Sequence, residues 1–173
     1  MKQLEPKAVW IFFVQNLLIS IPFIVAVLSI GVGVADVVEA FQFSALGWVV
    51  MVFLTLVAIV ALDWFIAKLT YRFVWYELKE EGFRKEHGII WKTYVTIPYT
   101  RIQNVDIKRG VIARILGLSD LEIQTAGASA TFRRNGAWGL GAEGALPGVS
   151  REIAEELRDE LIQRARKEAR QGL

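Results

Sequence analysis

The sequence contains two long stretches without a single charged residue. Residues 8–35 form an uncharged run of 28 residues, and residues 40–62 form a second run of 23. A helix needs about 20 apolar residues to cross the ~30 Å hydrocarbon core of a bilayer. Charged side chains inside that core are costly, so their absence from both runs is informative. The runs predict a transmembrane hairpin in residues 1–70, with spans at about 8–34 and 43–66.

The charges near the ends of these runs predict an orientation. The connection between the runs carries Asp36 and Glu39 and no base. Basic residues flank the other ends of both runs: Lys2, Lys7, Lys68, Arg72 and Lys79. Cytoplasmic flanks of membrane helices carry an excess of Lys and Arg. We therefore expect a multi-pass protein of the cell membrane with both termini in the cytoplasm.

Three polar residues of the first run, Gln15, Asn16 and Ser20, fall on roughly one face of the predicted helix. One interpretation is a polar track for a substrate. The other is a set of hydrogen-bond contacts to the second helix or to a partner, which is how such residues commonly act in membranes. Two helices are too few to enclose a pathway, so transport by a single chain is not expected.

The remaining residues, 71–173, are enough for one independently folding domain of α+β type. Its last element is a helix with Ser150 as N-cap and an apolar face that includes Leu157 and Leu161. A turn is predicted at Glu80-Glu81-Gly82, and residues 135–148 are rich in glycine, which is typical of a loop. Short runs of β-branched and aromatic residues predict strands at 71–78, 83–87, 89–97, 101–109, 120–125 and 129–133.

Two details of this domain are further expectations. Gly88 lies between two predicted strands and indicates a β-bulge. Residues 111–118 are bounded by glycines and are too short for a full helix, so we expect a helical turn or a loop. Its apolar side chains, Ile112, Ile115 and Leu116, are predicted to be buried under the sheet.

The segment RIQNVDIKRGVIARILGLSDLEIQTAG, residues 101–127, resembles the signature of the bacterial pleckstrin-homology (PH) proteins of the YdbS type. The preceding YELKEEGFRKEHGIIWKTYVTIP, residues 76–98, is similar to the first strands of that family. The order of two spans followed by one such domain also matches. The resemblance implies a PH-like β-barrel or curved sheet capped by the C-terminal helix. It further implies a larger membrane protein with repeated copies of the domain as a partner.

Little in the sequence indicates catalysis. There is no cysteine, and His87 is the only histidine. A usual zinc site cannot be built from one histidine without cysteine, and no serine or aspartate lies at a recognisable triad spacing. We predict no catalytic residue, no metal and no cofactor, and therefore a protein that is not an enzyme.

Basic residues could bring the domain to a lipid surface. Residues 71–173 carry 17 Lys and Arg against 14 Asp and Glu, a balance that argues against nucleic acid as a partner. Membrane lipids are an expected partner, because basic residues next to a bilayer are attracted to anionic headgroups. The turn at Glu80-Glu81 is acidic, so a headgroup-specific pocket is not expected there. The candidates for contact with lipid are Arg84, Lys85, Lys108 and Arg109.

These observations favour a non-enzymatic, membrane-anchored PH-like module that docks protein partners at the cytoplasmic membrane face. The expected partner is a membrane protein or a second copy of the chain. Two alternatives remain open: a sensor that binds anionic lipid, and an accessory subunit of a membrane export or transport complex.

Overall fold

The structure is a computed structural model, and it describes residues 1–33, 45–125 and 144–171. The chain divides into two compact units. One comprises Phe12–Lys68, and the other comprises Met1–Ile11 together with Leu69–Leu173. Residues 1–11 are therefore grouped with the unit that contains the C-terminal residues, while the boundary predicted at residue 70 lies close to the division at Lys68. The predicted strand at 129–133 and most of the glycine-rich segment lie outside the described residues.

The unit Phe12–Lys68 contains most of two long helices, α1 (Ala8–Gly33) and α2 (Ala45–Arg72). Both are long and apolar enough to cross a bilayer, with candidate spans at Ala8–Ile30 and Leu46–Arg72. Only 11% and 6% of their most apolar windows are buried. A core helix of a soluble protein would bury its apolar side chains, so this exposure favours lipid as their surroundings. Within the unit, the rings of Phe13 and Trp64 meet edge to face at 5.3 Å.

Within the described residues, the other unit contains seven short strands, two α-helices of its own and a 3-10 helix at Tyr99–Arg101. The first antiparallel sheet has the order β1-β2-β3-β4, and the second has the order β5-β6-β7. The strands of the first sheet are β1 (Lys2–Gln3), β2 (Trp75–Leu78), β3 (Gly82–His87) and β4 (Thr93–Pro98). The second sheet comprises β5 (Ile102–Lys108), β6 (Leu118–Thr125) and β7 (Ala145–Ser150). The helices are α3 (Val111–Leu116) and α4 (Arg151–Gln171).

Helix α4 packs on the second sheet, as its sequence pattern predicts. The Ser150 hydroxyl accepts a hydrogen bond from the backbone N–H of Ile153 at 3.3 Å, which confirms the N-cap. Leu157 and Leu161 are buried against the sheet. Near its C-terminal end, Arg164 donates to the Lys79 carbonyl at 3.1 Å and stacks over the Tyr99 ring at 5.5 Å. These contacts join the helix to the turn between β2 and β3 and to the segment that connects the two sheets.

The N-terminal segment completes this unit. Strand β1 adds to β2, with Lys2 opposite Tyr76. Gly148 in β7 has a φ of 73°, and a Cβ there would lie 2.5 Å from the Cβ of Ala8. Only glycine allows both this backbone conformation and this close approach. The first residue of α1 is therefore packed directly against the second sheet.

Several strand predictions need correction. The predicted strand at 71–78 is helical up to Arg72, and β2 begins only at Trp75. The predicted strand at 89–97 begins at Thr93, because residues 88–92 form the connection of a β3–β4 hairpin. Gly88 is therefore not a bulge. It has a φ of 114°, and a Cβ there would lie 1.9 Å from the Trp91 carbonyl oxygen, so it belongs to a tight turn.

Candidate functional site

Among the described residues of the unit that contains the sheets, two groups of large apolar side chains are exposed. The first is the 88–92 loop, the connection between β3 and β4. Ile90 and Trp91 are each 85% exposed, and the neighbouring Ile89 and Lys92 are also exposed. Exposed apolar residues are ordinary one at a time, but several together indicate an interaction surface.

The second group is the outer face of α3, formed by Val111, Ile112 and Ile115. Val111 is 65% exposed and Ile115 is 79% exposed, whereas Ala113 on the inner face is buried. The expectation that Ile112 and Ile115 lie under the sheet is wrong, because the single turn of helix places the smaller alanine inward. Gly117 ends the helix in the left-handed conformation, with a φ of 72°.

The position of α3 follows from the register of the second sheet. The helix ends at Gly117, and Leu118 at the start of β6 pairs with Ser150 at the end of β7. Gly148, two residues before Ser150, is the residue in contact with Ala8. The end of the sheet that carries α3 is therefore the end that packs against the first turn of α1.

The basic residues predicted to face lipid do not form one surface. Arg84 and Lys85 lie in β3 of the first sheet, while Lys108 and Arg109 lie at the end of β5 in the second. Arg84 pairs with Glu86 at 2.7 Å and stacks over the Tyr94 ring, and Lys108 pairs with Glu122. Arg109 is exposed, and its Nε donates to the Leu118 carbonyl at 3.3 Å. For Arg84, Lys108 and Arg109, contact with lipid stays a prediction.

The prediction that Lys85 contacts lipid needs correction. Its side chain is fully buried and its Nζ donates to the Ala145 carbonyl at 2.5 Å, which links the first sheet to β7. Burial lowers the pKa of this lysine from 10.5 to about 8. Strand alternation contains the signal for this burial, because Lys85 shares a face with the buried Phe83, two residues earlier. Lys85 cannot contact a lipid surface while it is buried in this way.

The single histidine lines a cleft of about 210 Å³ beside the 88–92 loop. The cleft is formed by Met1, Phe73, Trp75, Glu86, His87, Gly88, Lys92 and Tyr94. Burial, and to a lesser degree the nearby charge of Lys85, lowers the pKa of His87. Among the described residues, no group of three or more His, Cys, Asp or Glu could hold a metal ion. The rings of Phe73, Trp75, His87 and Tyr94 dominate the lining, with one acidic side chain, Glu86, and one lysine, Lys92.

The polar residues of the first helix meet the second helix within the unit Phe12–Lys68. Asn16 Nδ2 donates to the Asp63 carbonyl at 3.3 Å, and the Ser20 hydroxyl donates to the Asp63 carboxylate at 2.7 Å. These bonds agree with the interpretation of Asn16 and Ser20 as interhelical contacts. Gln15 is partly exposed, and its role stays a prediction. The sequence analysis missed Asp63, which is buried and lies inside the candidate span Leu46–Arg72.

Comparison with protein families gives one finding. A family model described as Bacterial PH domain matches residues 16–165, which is most of the chain. The matched region begins inside α1 and ends inside α4, so it includes the apolar helices as well as both sheets. Searches of curated proteins and of solved structures gave no match.

Proposed function

This chain belongs to the bacterial PH domain family, and on that premise we propose that it is a non-enzymatic, membrane-anchored module that docks a protein partner at the cytoplasmic membrane face. A bacterial PH domain suggests a module for interaction with protein or lipid. The YdbS type within this family remains a proposal that rests on the motifs of residues 76–127.

Anchoring is supported by the two apolar helices with their exposed side chains. The basic residues that flank them support a cytoplasmic location of both termini. In this arrangement only Phe73 and Val74 separate the end of α2 at Arg72 from the start of β2 at Trp75, so the chain enters the first sheet directly after it leaves the membrane.

The outer face of α3 is the observation that carries docking of a protein. Three aliphatic side chains are exposed there on a single turn of helix, and burying apolar area is worth about 25 cal/mol per Å². No aromatic residue lies in α3. A short helical face of this composition suits an apolar groove on another protein. The exposed Arg109 and Arg114 beside it would favour acidic side chains around that groove.

The location of α3 also favours a particular kind of partner. The helix lies at the end of the second sheet that packs against Ala8, the first residue of α1. A partner that reaches this position would itself lie close to the bilayer. We therefore propose a membrane protein, or a second copy of this chain, as the partner.

Site-specific photocrosslinking in native membranes tests this proposal. A photoreactive residue at Ile115 should give a protein adduct of one defined mass, whereas the same residue at exposed Glu156 on α4 should not. A homodimer would give an adduct of twice the chain mass. Ile115 crosslinked only to lipid, or giving no adduct, would contradict docking through α3. A second substitution, Val111→Asp, should abolish the Ile115 adduct, because charge on the face opposes its burial.

Anionic-lipid sensing is the second candidate, and exposed Arg109 and Arg114 next to an apolar face favour it. Burial of Lys85 and the pairing of Arg84 with Glu86 reduce the number of bases available to headgroups. A lipid sensor would retain binding to vesicles of one anionic lipid near 0.15 M salt, where general attraction is largely screened. The accessory-subunit alternative would require the Gln15–Ser20 face to meet helices of another protein.

A further inference from the structure

We propose that the 88–92 loop is a membrane-insertion device, which places Ile89, Ile90 and Trp91 in the interfacial layer of the bilayer that holds the helices. The proposed partner of this apolar tip is lipid, and not a groove on another protein. This inference concerns a different surface from α3 and does not depend on the docking of a protein there.

The strand register places the loop at the tethered end of the first sheet. Strand β2 begins at Trp75, which is opposite Glu86 in β3. Strand β3 runs antiparallel to β2, so the residues that follow Glu86 extend beyond the end of β2 that is joined to α2. The last β3–β4 pair is His87 with Thr93, and the five residues 88–92 lie beyond it.

The distances involved are short. Arg72 is the last residue of α2, and the Trp75 indole N–H donates to the Arg72 carbonyl at 3.1 Å. The start of β2 is therefore fixed against the end of the helix. A tight turn adds one or two residues beyond His87, or roughly 3–7 Å at the rise of a β-strand. The side chains of Ile90 and Trp91 extend further still, so they can reach the interfacial layer of the bilayer at the point where α2 leaves it.

The composition of the loop suits the bilayer interface. Two isoleucines and a tryptophan are followed by Lys92, and all four side chains are exposed. Tryptophan is enriched at membrane interfaces because its ring can be buried while its N–H stays hydrated. A neighbouring lysine can bury its methylene stem and keep its ammonium among the headgroups. Gly88 makes the turn tight, because its φ of 114° and its approach to the Trp91 carbonyl exclude a side chain.

A single-label experiment tests the insertion. The chain has no cysteine, so Ile90→Cys provides a unique site for an environment-sensitive fluorophore. The labelled full-length protein is reconstituted in vesicles of phosphatidylcholine and phosphatidylglycerol. We expect the emission at residue 90 to shift to shorter wavelength and to lose intensity when lipids with a nitroxide on the acyl chain are included. The matched control is Glu81→Cys, in the exposed turn at the opposite end of β3, where we expect neither change.

Each outcome supports or overturns the proposal. Emission at residue 90 that matches emission at residue 81 would overturn insertion. A shift to shorter wavelength without quenching by the nitroxide lipids would mean that protein covers the loop, and would also overturn it. Trp91→Asp in the Ile90→Cys protein should reverse both the shift and the quenching. The photocrosslink at Ile115 should persist in the Trp91→Asp protein, so failure of the two proposals can be distinguished.

Discussion

Replacement of the buried lysine by a neutral side chain of similar length is expected to change how stability depends on pH. Lys85 is fully buried, and burial lowers its pKa from 10.5 to about 8. One pKa unit corresponds to about 1.4 kcal/mol, so holding this lysine charged within the fold costs about 3 kcal/mol. Lys85→Met removes that cost, but it also leaves the Ala145 carbonyl without its donor, which costs about 1–3 kcal/mol.

The sign follows from proton binding. Between pH 8 and 10.5 the unfolded chain retains the Lys85 proton while the folded chain loses it. The unfolded state then binds more protons, so the stability of the native sequence rises with pH across this window. In the Lys85→Met protein residue 85 has no proton to lose, so its titration does not raise the stability across this window. The stability of Lys85→Met relative to the native sequence should therefore fall by about 3 kcal/mol from below pH 8 to above pH 10.5.

Opening of the domain can be measured in lipid without denaturant. A cysteine introduced at buried Val149 in β7 reacts with a thiol reagent only when the sheet opens, and the chain has no other cysteine. The difference in opening free energy between the native and Lys85→Met backgrounds is measured at each pH. Exposed Lys79→Met is the control and should give a flat difference. A flat difference for Lys85→Met, or one that rises with pH, would refute the argument.

Three further substitutions test other parts of the fold by the reactivity of an introduced cysteine, placed in β7 for the first two and in α1 for the third. Leu161→Ala should destabilise the domain by about 2–5 kcal/mol, because it opens a cavity under α4. Replacement of the exposed Glu156 by alanine should change the stability little. Equal, small effects of both substitutions would mean that α4 does not pack on the sheet. Gly148→Ala should lower the stability of the domain by at least about 1–2 kcal/mol, because residue 148 has a positive φ, and the clash with Ala8 should lower it further. Unchanged stability would contradict the packing of Gly148 against Ala8. Ser20→Ala should raise labelling of a cysteine at Leu17 by loosening the contact with the Asp63 carboxylate, while Ser29→Ala, whose hydroxyl bonds only within its own helix, should not.

The sequence predicted those features that depend on local patterns. Periodicity located α4 and its buried leucines, and the capping preference of serine placed its start at Ser150. The turn at Glu80-Glu81 is confirmed by the hydrogen bond from the Lys79 N–H to the Gly82 carbonyl at 2.9 Å. In each case a few neighbouring residues determine the outcome, so a single sequence is sufficient.

Features that depend on distant contacts were missed or misplaced. Hydrophobicity suggested that Ile115 is buried, but the geometry of one helical turn places Ala113 inward and leaves Ile115 exposed. Residues 1–11 group with the unit that contains the sheets because β1 pairs with β2, some seventy residues away in the sequence. No local pattern predicts such a pairing. Asp63 was missed because the uncharged run ends just before it, although the helix continues for nine more residues.

Lys85 was grouped with the residues predicted to contact lipid for a different reason. Arg84 and Lys85 are adjacent in sequence, but neighbouring residues of a strand point to opposite faces. Lys85 therefore lies in the core with Phe83, while Arg84 faces Glu86 and Tyr94 on the other side. Basic pairs in strands need to be separated by face before they are counted as one patch.

Topology is the most direct test of the central claim that this chain presents a PH domain at the cytoplasmic membrane surface. Reporter fusions that are active only on one side of the membrane are placed before Lys2 and after Leu173. The basic flanks of both helices predict that both fusions report the cytoplasm. A C-terminal fusion that reports the outside would place the sheets, α3 and the 88–92 loop on the wrong side, and would contradict the account.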